Sequence, residues 1–132
     1  MIKFLVSLIR SMVLIVVGAF LGHNVATLGD DIGWGKAFSQ YQQEAERGNA
    51  ESQYWVSRYI LEGKGAERKP QEALKWLQKS ANNGFLKAQT ELAWHYEKGI
   101  LVAKNEEKAF QLYKEVAETA TKRLKKETSA LF

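Results

Sequence analysis

Apolar residues return at helical spacing along most of this chain. Phe38, Tyr41 and Ala45 lie three and four apart, enough to define one buried stripe on a helix over residues 34–47. The same rhythm reappears in Val56 and Ile60, in Ala73, Leu74, Leu77 and Ala81, and in Leu92 and Tyr96. Punctuation between these stretches predicts where each helix begins and ends. Gly48 closes the first helix and Asn49 caps the second, expected over 50–61, with Gly63 and Gly65 after it. Pro70 suits the first position of the next, 70–83, because its missing amide hydrogen would be unpaired there anyway. Gly84 turns the chain into 86–98. A loop beginning at Gly99 then leads to Asn105 as the cap of a last helix, expected from Glu106 to about Ala120.

These helices are not independent. Shifted by 36 positions, the sequence places Gly48 on Gly84, Gln53 on Gln89, Gly63 on Gly99, Ala73 on Ala109 and Ala81 on Ala117. Leu74 falls on Phe110 and Leu77 on Tyr113, and the register runs back to match Phe38, Tyr41 and Ala45 with Leu74, Leu77 and Ala81. The chain thus carries a half repeat and two whole ones. A period of this length, with glycine at fixed offsets between helical patterns, predicts a helical solenoid. Small residues at Ser52, Ser57, Ala73, Ala88, Ala93 and Ala109 would let paired helices approach closely. So short a solenoid needs its ends covered. Residues 121–126 are expected either to extend the last helix, with Val116 and Leu124 packing back, or to leave a partner protein to complete the stack.

The stretch AQTELAWHYEKGILVAKNEEKAFQLYKEVAETA and its counterpart SQYWVSRYILEGKGAERKPQEALKWLQKSANNG resemble the Sel-one-like repeat, a branch of the tetratricopeptide-like superfamily. The likeness covers residues 34–120. Val56 and Ser57 depart from the usual leucine and glycine, Leu101 stands where a second loop glycine is common, and Ala120 replaces the closing glycine. The resemblance implies an all-α, short α/α solenoid of about two and a half repeats, used as a protein–protein interaction adaptor or scaffold, often at membranes or in bacterial envelopes. It brings no catalytic residues.

Ahead of the repeats, Ile2 to Leu21 is apolar except for Lys3, Ser7, Arg10 and Ser11. Twenty helical residues rise about 30 Å, enough to cross a bilayer core. Residues 1–29 are therefore expected to be a transmembrane helix or signal anchor, 30–33 a linker, 34–120 the repeat domain and 121–132 a basic tail. Basic residues before or within the apolar run, with Asp30 and Asp31 after it, orient the N-terminus to the cytoplasm. The repeats then lie on the far side of a single-pass inner membrane, periplasmic or extracytoplasmic. Arg10 is the expected membrane-contact residue, its long stem reaching the headgroups. The competing reading is a cleaved signal, with Lys3 and Arg10 as its charged start, leaving a secreted or periplasmic protein. The sites after Ala26 and Gly29 are poor for cleavage, which favours the anchor.

Charge adds little. The net charge of +4 is spread over mixed helix faces, and only Lys122, Arg123, Lys125 and Lys126 cluster, so no nucleic-acid partner is expected. The absence of cysteine removes thiol catalysis, disulfides and thiolate metal sites. His95 is the only histidine of the repeats and shares its register with Tyr59, which makes it a packed aromatic position. No catalytic site, metal, cofactor or small-molecule substrate is expected. Aromatic residues carry the functional expectation. Trp55 falls on Glu91 and Arg58 on Trp94, so the repeat's own packing does not constrain these positions. Tyr54, Trp55, Arg58 and Trp94, on first helices that should line the inner surface, are the expected partner-binding residues. The runner-up reading is a structural accessory subunit of a larger membrane complex, held mainly through its transmembrane helix.

Overall fold

The computed structural model describes residues 33–131, and among them all regular structure is helical. Helix α1 covers 33–46, followed by α2 (Ala50–Glu62), α3 (Pro70–Asn82), α4 (Leu86–Lys98) and α5 (Glu106–Ala130). The expected transmembrane helix, Arg10 and most of the linker lie outside the described residues. Within them no helix is long and apolar enough to cross a membrane.

Four helices start and stop where the punctuation placed them, to within a residue. Asn49 accepts a hydrogen bond from the Ser52 amide (2.9 Å), and Asn105 does the same for the Lys108 amide (2.9 Å). Each side chain satisfies an amide that the first turn leaves without a partner. The exception is α5, which runs past Ala120 to Ala130. Ala120 stands where a glycine would have closed the helix, and neither glycine nor proline follows it, so nothing stops propagation.

Packing repeats with the sequence. One core joins Ala45, Val56, Ile60 and Ala73, drawn from α1, α2 and α3. The next joins Leu74, Leu77 and Ala81 of α3 to Ala88 and Leu92 of α4, with Leu112 of α5 against it. Every core spans three consecutive helices, as expected when repeats bury their faces only against neighbours. Hydrogen bonds repeat as well. Gln53 donates to the Ala45 carbonyl (3.1 Å), and its counterpart Gln89 donates to the Ala81 carbonyl (3.2 Å). Small residues sit where α2 and α3 meet: Ser57, as expected, lies against Ala73 and donates to its carbonyl (2.7 Å), and Ser80, which the sequence did not single out, donates to the Ala50 carbonyl (2.5 Å). A longer side chain at either place would hold α2 and α3 apart.

One loop ties the half repeat to the first whole one. Gly65 has φ 68°, and a Cβ there would overlap the Trp34 backbone carbonyl at the start of α1. Only glycine permits both the left-handed conformation and the close approach. The corresponding residue of the second repeat is Leu101, which adopts φ 64° despite its side chain.

Candidate functional site

The four expected binding residues separate into two groups. Tyr54, Arg58 and Trp94 gather around one carboxylate, Glu91, on the side where α2 and α4 come together. Arg58 reaches from α2 to Glu91 on α4 (3.2 Å) and also holds Glu62 one turn along its own helix (2.6 Å). Burial opposes the Arg58 charge, but Glu91 and Glu62 outweigh it and raise its pKa above the ordinary value. Burial first, and then the neighbouring Glu91 carboxylate, likewise push the Tyr54 phenol up. Both side chains therefore keep their usual charge state at neutral pH, a neutral donor beside a salt-bridged cation.

Trp55 stands apart. Its ring lies 6.1 Å from Tyr41 of α1 and 5.4 Å from Tyr54, and it is half-buried. It belongs to an aromatic cluster in which Tyr59 meets Trp34, Phe38 and Tyr41.

Trp94, by contrast, is 42% exposed. With Tyr54, Glu91, Leu86, Lys87, Thr90 and Tyr113 it lines a shallow, mostly apolar depression of ≈ 490 Å³. Tyr113 comes from α5 and donates to Glu97 of α4 (3.1 Å), which fixes its ring at the rim. Sequence reasoning missed both Tyr113 and Glu91. Glu91 was legible only as the register partner of Trp55, and Tyr113 as that of a core leucine.

His95 sits beneath this surface, 4% exposed, with neither ring nitrogen hydrogen-bonded. Its Nε2 lies 3.9 Å from Glu91, beyond hydrogen-bond range. Burial lowers its pKa below the ordinary histidine value, and Glu91 offsets only part of that. It is a packed neutral aromatic residue, more deeply buried than its counterpart Tyr59. Among the described residues no three His, Asp or Glu side chains are grouped so as to hold a metal ion.

Aromatic and charged side chains thus meet around one open depression on stacked helical pairs. The Sel1 repeat model matches the chain twice, over residues 50–85 and 86–118. The chain belongs to the Sel1 repeat family. Such repeats generally mediate protein–protein interaction. Two solved structures share the fold. A Sel1 repeat protein from Oxalobacter formigenes is 32% identical, with a TM-score of 0.61 over 64% of this chain and 63% of that one. The protein c5321 is described as a protective antigen present in uropathogenic Escherichia coli strains that displays an SLR fold. It is 26% identical, with a TM-score of 0.59 over 62% of this chain and 18% of its own. The chain therefore spans less than two thirds of either relative. No curated protein matches it. The Sel1 matches begin at Ala50, the start of α2.

Proposed function

We propose that this Sel1 repeat protein is a membrane-anchored adaptor that holds a protein partner against the face shared by α2 and α4. The observation that carries the reading is Trp94, a large exposed aromatic side chain beside Tyr54 and the Arg58–Glu91 pair. Exposed tryptophan flanked by tyrosine and arginine is the composition of an interface hot spot. Trp55 borders this face through Tyr54 and contributes to binding by holding that ring. No catalysis is assigned to the domain.

Anchoring rests on the apolar run from Ile2 to Leu21, with the N-terminus in the cytoplasm and the repeats on the far side. Arg10 inside that run supports a second reading, an accessory subunit held by a membrane-embedded contact. Crosslinking of the full chain in membranes, followed by copurification, separates these readings. Trp94→Ala should abolish partner recovery while helical content stays constant, and undiminished recovery would reject the α2–α4 face. Exchange of the first 29 residues for an unrelated anchor should leave recovery intact, whereas its loss would favour the accessory subunit. Mass spectrometry of the mature N-terminus tests the anchor itself, because a chain trimmed near residue 26 or 29 and released from membranes would be a secreted form.

A further inference from the structure

The second whole repeat exposes the face that the first one buries. On α3, Leu74, Leu77 and Ala81 lie under α4. Their counterparts on α5 are open: Phe110 is 68% exposed, Tyr113 36%, and Ala117 is exposed too. The stripe continues at alternating steps of three and four through Ala120, Leu124 (63% exposed) and Leu131, broken only by Glu127. Leu124 does not pack back on the domain as expected. This spacing is a coiled-coil seam, apolar residues kept on one side of a long helix with no neighbour among the described residues.

The charge pattern of α5 identifies what covers it. Its charges are divided along its length. Glu106, Glu107, Glu115 and Glu118 outnumber Lys108 and Lys114 in the first half, whereas Lys122, Arg123, Lys125 and Lys126 outnumber Glu127 in the second. A second α5 laid antiparallel therefore sets basic half beside acidic half, while a parallel one sets like against like.

We infer that two copies of this chain associate through antiparallel α5 helices, with Phe110 and Tyr113 of each packing over the second copy's Ala117 and Ala120. The alanines allow close approach and the aromatic rings fill the space, so the stack of repeats continues across a two-fold axis. The association is independent of membrane anchoring. It also covers part of Tyr113, which lines the rim of the Trp94 depression, so the dimer seam borders each copy's docking face.

Analytical ultracentrifugation of the full chain, in mild detergent with the detergent density-matched, should give a dimer at micromolar concentration. Phe110→Glu and Leu124→Glu should each weaken it at least tenfold with unchanged helical circular dichroism. The cysteine-free sequence allows an orientation test. Ala117→Cys lies close to the two-fold axis and should be joined between copies by a short bis-maleimide crosslinker, while Thr128→Cys should not, since an antiparallel pair separates those positions by more than about 25 Å along the helix axis. A monomer at tens of micromolar overturns the inference. So does a dimer indifferent to both glutamate variants, or one crosslinked through position 128.

Discussion

The two whole repeats share a pattern and differ in their surroundings. The first has α1 on one side and α4 on the other. The second has α3 on one side and nothing on the other among the described residues. Leu77 is fully buried, whereas Tyr113 at the same register is a rim residue. Identical positions in a repeat thus carry different energies, because burial is conferred by the neighbour and not by the residue. The substitutions differ accordingly, since the open positions hold larger side chains, phenylalanine for Leu74 and the more polar tyrosine for Leu77.

The most demanding test of that contrast compares Leu77→Ala with Tyr113→Ala. Removing the fully buried leucine should cost about 3–4 kcal/mol, from lost transfer energy and from the cavity left among Ala81, Ala88 and Leu92. Tyr113→Ala, measured by urea unfolding at dilution, should cost below about 1 kcal/mol, as for other surface positions. Equal losses would mean that the second repeat is covered even in the dilute chain. A Tyr113→Ala cost that grows with protein concentration would point to self-association through α5.

The loop pair comes next. Gly65→Ala forces a side chain into the left-handed region and against the Trp34 carbonyl, so it should destabilise by about 2 kcal/mol. Leu101 already bears the conformational cost. Leu101→Gly relieves about 1–2 kcal/mol of it, offset by about 0.5–1 kcal/mol of extra freedom in the unfolded chain and by the loss of a half-buried side chain. The net change should stay within about 1 kcal/mol. A large destabilisation from Leu101→Gly would show that the leucine side chain, not the backbone, holds the second loop.

Among the described residues, helix number, helix starts and the stacking register were all readable from the sequence, because they depend on local signals. Asn49, Pro70 and Asn105 act on the amides next to them, and the 36-residue shift aligned the core positions before any contact was known. What escaped was decided by neighbours. Nothing in the spacing of Trp55 says that Tyr41 would stack against it, and nothing in the spacing of Glu91 says that Arg58 of the preceding repeat would reach it. The end of α5 was left open for the opposite reason. The repeat ends near Ala120, extension through residues 121–126 was one of two expectations, and the chain lacks a stop signal, so the helix runs on to Ala130.

His95 and Tyr59 extend the comparison to pH. Burial keeps the folded-state pKa of His95 below its unfolded value, so the unfolded chain binds the proton more readily. The stability this residue contributes is complete above the unfolded pKa of about 6.5 and declines as pH falls below it toward the folded pKa. Glu91 and Arg58, the charged groups beside the ring, act in opposite directions, Glu91 favouring the proton and Arg58 opposing it. Unfolding free energy of the parent chain should therefore fall between pH 6.5 and 5. In His95→Phe that slope should vanish, and its persistence would assign the pH dependence to another group.

The smallest effect is expected where the two repeats touch most visibly. The Arg58–Glu91 pair links the first helices of both, but the Arg58 side chain is 39% exposed, and such pairs contribute little once solvent screening and side-chain entropy are counted. A double-mutant cycle of Arg58→Ala and Glu91→Ala should give a coupling of about 0.2–1 kcal/mol, shrinking further in high salt. Its larger consequence should be for binding. The pair fixes a cation and a carboxylate beside Trp94, so Arg58→Ala should reduce partner recovery far more than it reduces stability. If recovery is unchanged while stability falls by several kcal/mol, the pair is a clamp between repeats, and the functional part of the surface narrows to Tyr54, Trp94 and Tyr113.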